Sequence, residues 1–206
     1  MKQKNNKIIA IAIIALIILA GIVVVSIWGF NKELKYEQGQ RIDIYVEQQL
    51  DKTKIKNIVN EVLGTSNIVQ TVEIYEDMVT IRAKTISEEQ RNNIVNKVKE
   101  NYEFKQTVEE TQINIVPETR IRDMYKQYVL PFVLSAVLVV GYMVIRYYKK
   151  GILKVLVRTV AIPVVAELLL LSVIAITRIP MGRFIPIFVI LVYIASILYV
   201  IKENEK

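Results

Sequence analysis

The sequence predicts a membrane protein of four transmembrane helices, with an extracytoplasmic α+β domain of ferredoxin-like βαββαβ order between spans one and two. Three observations carry that prediction: four long apolar runs, an uneven placement of basic residues between them, and strand and helix periodicities in the one long polar segment. Of 206 residues, 53% are hydrophobic and the mean hydropathy is +0.35, too apolar for an ordinary soluble domain. The excess is concentrated in Ile8–Trp28, Val129–Ile145, Thr159–Thr177 and Phe184–Ile201, of 21, 17, 19 and 18 residues. A crossing takes about 17–25 residues at about 1.5 Å each, so all four qualify.

The first run follows a basic start (Lys2, Lys4, Lys7). Its apolar stretch exceeds the ~7–15 residues of a cleaved signal core, and no small-x-small site closes the run before Trp28. It is expected to be an uncleaved anchor over residues 8–28, behind a cytoplasmic tail of residues 1–7.

Charge sets the expected orientation. The net charge is +7, yet the segment from Asn31 to Gln127 holds 15 basic and 17 acidic residues. Arg146, Lys149, Lys150, Lys154 and Arg158 crowd the loop at 146–158. Positive-inside bias places both termini and that loop in the cytoplasm of a multi-pass plasma-membrane protein, with residues 29–127 outside. The same loop would meet anionic lipids. Nucleic acid is not an expected partner, because no aromatic platform accompanies the basic residues.

Absences narrow the chemistry. Without cysteine or histidine there is no disulfide, no thiol nucleophile and no imidazole to shuttle protons or hold a metal. The polar segment has no Gly-rich phosphate loop and no metal-like cluster, and the spans have no Asp pair or Ser–Lys dyad at one depth. No cofactor and no enzymatic activity are expected.

Within residues 29–127, Ile42, Ile44 and Val46 alternate with Arg41, Asp43 and Tyr45, which predicts a strand. A helix follows, with Asp51 as N-cap, Ile55, Ile58, Val59 and Val62 on one face, and Gly64 as its stop. The runs "NIVQTVEIY" and "DMVTIRAK" predict a hairpin turning near Glu76-Asp77. A Ser87…Gln90 capping box opens a second helix striped by Ile94, Val95 and Val98, and "ETQINIV" closes as a fourth strand. The resulting order is that of the split βαββαβ unit. Residues 128–206 are expected to form a three-helix bundle.

One acid interrupts the third span, in "VVAELLLL". Glu167 lies eight residues past Thr159 and ten before Thr177. An ionised carboxylate at that depth costs about 2.5–3.5 kcal/mol on insertion scales. Pro163, one turn earlier, removes a helix bond to Thr159. Glu167 and Pro163 could form a proton or coupling site. Glu167 could equally be interhelical glue bonded to Ser135, Tyr142, Tyr193 or Ser196, or the contact for a partner. Arg178 and Arg183, flanking Pro180 and Gly182, could engage lipid phosphates or the outer domain, or serve as flanking charge. Trp28, Tyr147 and Tyr148 are expected as interfacial anchors, and Pro131 and Pro186 in the first turns of their spans.

Several stretches together resemble the SecD/SecF protein-export membrane proteins of the RND superfamily, in particular SecF. "KYEQGQRIDIYV" places Tyr36 and Gly39 before an alternating strand, and "VQTVEIYEDMVTIRAK" is similar to the family's hairpin ending on Ile81-Arg82. "IVPETRI" puts Pro117 where the family has Val-Gly-Pro at re-entry to the membrane. "YMVIRYYKKG" places Arg146 at the exit of the next span, Ala166-Glu167 stands where the family has His-Asp, and "VIKEN" resembles "RIREN". The chain departs from the pattern at Gln38 and Lys35, at Ala166 for histidine, and in having four apolar runs against six spans. The resemblance implies a shortened SecF-like accessory subunit for export of polypeptides at the outer face, with proton coupling through Glu167. It would act with a SecD-like or translocon subunit and touch the exported polypeptide. FtsX-type permeases, which work with a cytoplasmic ATPase, also set an outer domain between spans one and two of four, and supply the alternative.

Overall fold

The computed structural model describes residues 2–46, 50–71, 78–103, 106–108 and 110–205, with the side chains of residues 2–5 and 7 outside the description. The predicted hairpin turn at Glu76-Asp77 therefore lies outside the described residues, as do the side chains of Lys2, Lys4 and Lys7. The chain divides into a helical unit, residues up to Lys32 with Ile121 onward, and a mixed unit, Glu33–Arg120.

In the mixed unit β1 (Gly39–Tyr45), α2 (Lys52–Leu63), β2 (Asn67–Thr71), β3 (Met78–Ala83), α3 (Glu88–Asn101) and β4 (Asn114–Val116) follow α1 (Lys2–Trp28) of the helical unit in chain order. The sheet runs β2-β3-β1-β4, and every neighbouring pair is antiparallel. Register sets Ile42 opposite Ile81 and Ile44 opposite Val79. Because side chains alternate along a strand, this puts Ile42, Ile44, Val79 and Ile81 on one face, and all four are fully buried. Ile55 and Val59 of α2 and Ile94, Val95 and Val98 of α3 cover that face and complete the core. Both helices start where the sequence signals them. Asp51 accepts from the N–H groups of Thr53 and Lys54, at 2.8 and 3.3 Å. Ser87 and Gln90 form the reciprocal capping box at 3.1 and 2.9 Å. Gly64 ends α2 at φ 74°, a conformation that favours glycine.

The opposite sheet face is polar: Arg41 pairs with Asp43 at 3.0 Å, and Asp43 accepts from Thr80 at 2.7 Å. Arg82 donates to the carbonyl of Glu37 at 2.6 Å, and burial, with Arg41 beside it, lowers its pKa from the ordinary guanidinium value.

The helical unit adds to α1 the helices α4 (Ile121–Arg146), α5 (Ile152–Thr177) and α6 (Ile185–Glu205). These four are long and apolar enough to cross a membrane. α5 is the hub, with α1, α4 and α6 each packed on it and the other pairings marginal. On α1 the covered positions are Ile14, Ile17, Ile18, Gly21, Val24 and Val25, a three-and-four spacing that makes one stripe. Gly21 sits at its tightest point, against Ser172 of α5.

The starts of α4 and α5 differ from the sequence reading. α4 begins at Ile121, so residues 121–127 belong to the helical unit. The physical reason is a local stripe, Ile121, Met124 and Tyr125, that packs against Met181 and Ile185. Pro131 consequently lies inside α4 rather than in its first turn, and removes the bond to the carbonyl of Gln127. Pro186, by contrast, is the second residue of α6, where its missing N–H costs little. The basic segment 146–158 is a 3₁₀ turn at Tyr148–Lys150 followed at once by α5, so Lys154 and Arg158 are helical.

Candidate functional site

The helical unit is held together at both ends by polar contacts. At one end the chain leaves α1 through Gly29, at φ 64°, and returns along the α5–α6 connection. Arg178 caps α5 in the left-handed region, and its Nη1 donates to the Gly29 carbonyl at 2.7 Å. Asn31 Nδ2 donates to the Arg178 carbonyl at 2.9 Å, and the Met181 N–H to the Asn31 carbonyl at 2.8 Å. Arg178 thus satisfies a carbonyl that α1 leaves unpaired at its C-terminus. Arg183 instead lays its guanidinium over the Phe184 ring, 4.8 Å from the centroid.

At the other end, Met143, Val155 and Val200 form a small buried cluster. Over it Arg146 Nη1 donates to the Tyr142 hydroxyl at 2.5 Å and Nη2 lies 3.6 Å from Glu205, to which the Tyr147 hydroxyl also donates at 3.3 Å. These groups are exposed, and pairs of that kind contribute about 0–1 kcal/mol.

Between the two ends lies the acid. α5 carries Glu167 with both carboxyl oxygens sealed from solvent and without a hydrogen-bond partner. Ser196, one of its expected donors, gives its proton to the Tyr193 carbonyl at 2.6 Å, and Tyr142 is engaged by Arg146. Tyr193 packs edge-on against Phe132, ring centroids 5.1 Å apart, and its hydroxyl is likewise sealed and unpartnered. The expected bonds from Glu167 to those side chains are therefore not formed. Pro163 is buried one turn before Glu167. Thr159, whose bond from residue 163 the proline removes, has its own hydroxyl sealed and unpartnered. In the sequence Thr159 reads only as the edge of an apolar run.

Buried polar groups in folded proteins are almost always bonded, so these orphans need a cause. The nearest basic residues on α5, Arg158 and Arg178, lie nine and eleven residues away, about 13 and 16 Å along the axis. No counter-charge on its own helix reaches the carboxyl. A group so placed has two chemical uses: it can hold a proton, or it can accept a donor arriving from another molecule. Among the described residues no acidic cluster could hold a metal ion.

The resemblance positions fall in three places. Tyr36, Gly39 and Pro117 come together in the mixed unit, where Gly39 pairs with Val116 and the Tyr36 carbonyl accepts from the Thr119 N–H at 2.9 Å. Gly39 has a packing reason, since a Cβ there would stand 2.7 Å from the Ala83 carbonyl oxygen. Arg146 closes the α4 end, and Glu167 with Pro163 occupies the centre of α5. No protein-family model matches the chain, and no curated protein matches it.

Proposed function

We propose that the chain is a SecF-like accessory membrane subunit that assists movement of exported polypeptides, without enzymatic activity of its own. The observation that carries this reading is architectural. A mixed unit with strands and helices in βαββαβ order and sheet order β2-β3-β1-β4 is inserted between the first and second of four helices fit to cross a membrane. That arrangement supports a ferredoxin-like domain, the kind the SecF resemblance calls for. The charge distribution supports cytoplasmic termini, a plasma-membrane location and an outer ferredoxin-like domain.

In this reading the outer domain works by binding. β2 is an edge strand with Gln70 exposed, and it offers unpaired backbone groups to an extended chain. Glu167 is the coupling element, and its orphaned oxygens support a role that is completed by a proton or by a donor from the partner subunit. The partner is a SecD-like or translocon membrane subunit. Affinity purification from gently solubilised membranes tests the reading: recovery of a translocon component is expected. Recovery of a cytoplasmic ATPase without any translocon component would replace it with the FtsX-like alternative.

A further inference from the structure

α4 and α6 both pack on α5 and meet each other chiefly through side chains, and a groove of about 720 Å³ opens between them. Its walls are apolar, formed by residues such as Val133 on α4 and Ile190 and Ile194 on α6, with Leu171 of α5 among the lining residues. The volume falls within the ~300–1,000 Å³ usual for a ligand site. The groove runs from Ile185 to Leu198 along α6, about 20 Å, and from Ile121 to Val139 along α4, about 27 Å.

One end of the groove carries charge. There the Tyr125 hydroxyl donates to the Gly182 carbonyl at 3.0 Å, joining α4 to the α5–α6 connection. Arg122 and Lys126 flank Tyr125, and Arg183 follows Gly182. All three are exposed, and each lies within two residues of a groove-lining side chain. The acid beside them, Asp123, sits 3.5 Å from Arg122, which leaves this rim net positive. Tyr125 and Tyr128 line the same end, as amphipathic rings do at a headgroup boundary.

We propose that this groove is a binding site for an anionic phospholipid, with an acyl chain lying along α6 and the phosphate held by Arg122 and Arg183. Apolar walls select a hydrocarbon chain, and the rim selects the negative headgroup. The groove shares Tyr193 with the surroundings described for Glu167, but its lining does not include the acid itself, and the proposal stands whether or not the export reading holds.

Native mass spectrometry of the full chain, given phosphatidylglycerol or phosphatidylcholine of identical acyl composition, tests the proposal. Phosphatidylglycerol is expected to be retained preferentially, and Arg122→Gln and Arg183→Gln each to lower its affinity about fivefold, leaving phosphatidylcholine unchanged. Ile190→Trp, at a position 46% exposed in the groove, should abolish retention of both lipids. Phosphatidylglycerol with a photoactivatable acyl chain gives a readout on the unmodified protein, and its adducts should fall on α4 residues 121–139 and α6 residues 185–198. Equal retention of the two lipids overturns the proposal, as do adducts spread evenly over the four helices. A dimer that cross-links through the groove and excludes lipid overturns it as well.

Discussion

Gly21 is where the packing of α1 on α5 is most sharply tested. A Cβ built on it would stand 2.4 Å from the Ser172 Cβ and 2.6 Å from the Ser172 Cα. Carbon atoms that touch settle at about 3.5–4.0 Å, so Gly21→Ala forces the two backbones apart by about 1 Å. Nothing flexible can absorb this, because the Ser172 backbone itself is in the way. Separation also loosens the flanking stripe residues Ile17, Ile18, Val24 and Val25. Overpacking of this kind costs about 1–3 kcal/mol, and Gly21→Leu should exceed that range. The gain from replacing glycine by alanine in a helix, up to about 1 kcal/mol, works in the other direction and is smaller than the clash. Reversible unfolding in micelles, followed by far-ultraviolet circular dichroism, measures the net effect. Gly21→Ala should destabilise by about 1–2 kcal/mol. Ser172→Gly in the same chain should recover only part of the loss, because it removes the serine side chain and leaves the α5 backbone where it was. A stability equal to or above that of the unmodified chain would refute the close approach of α1 and α5.

Other consequences can be read the same way. Glu167→Leu removes a sealed carboxyl that has no partner, so the helical unit should gain at least about 1 kcal/mol of stability, and under the proposed function export should fall; Glu167→Gln should leave stability within about 1 kcal/mol. Loss of stability in Glu167→Leu would mean that the acid is structural glue. Gly39→Ala should destabilise the mixed unit by about 1–3 kcal/mol, read from its own unfolding transition in the full chain, because its Cβ meets the Ala83 carbonyl at 2.7 Å. Ser87→Ala should cost that unit about 1 kcal/mol by opening the capping box, and an unchanged midpoint would show that the box contributes nothing.

Local chemistry made much of the fold legible. Period-two alternation at Ile42, Ile44 and Val46 placed the inward face of β1, and cap residues Asp51, Ser87 and Gln90 fixed the starts of both helices. Each of those signals acts within a few residues of itself. The α4 start was missed because its cause is distant: Ile121, Met124 and Tyr125 are helical through their packing on Met181 and Ile185, far along the chain. The same distance hid the real placement of Pro131. Glu167 stood out because an acid in an apolar run is costly wherever it is. The failure of Ser196 and Tyr142 to reach it could not be read from spacing, since the rotation of each helix decides which side chains meet. The α4–α6 groove was invisible for a related reason, as it arises from two helices that share a hub while their backbones stay apart. Arg178 read as a lipid or outer-domain contact or as flanking charge, yet a left-handed backbone turns it onto the end of α1.

The central claim is that the mixed unit handles polypeptides in transit beside a translocon. A photo-cross-linking residue at Gln70, on the exposed edge of β2, tests it in living cells while a secretory substrate is arrested mid-export. Adducts with the arrested substrate and with a translocon or SecD-like subunit are expected, and they should be lost when export is not engaged. Adducts with neither, at Gln70 and again at the exposed Ile115 of β4, would contradict it.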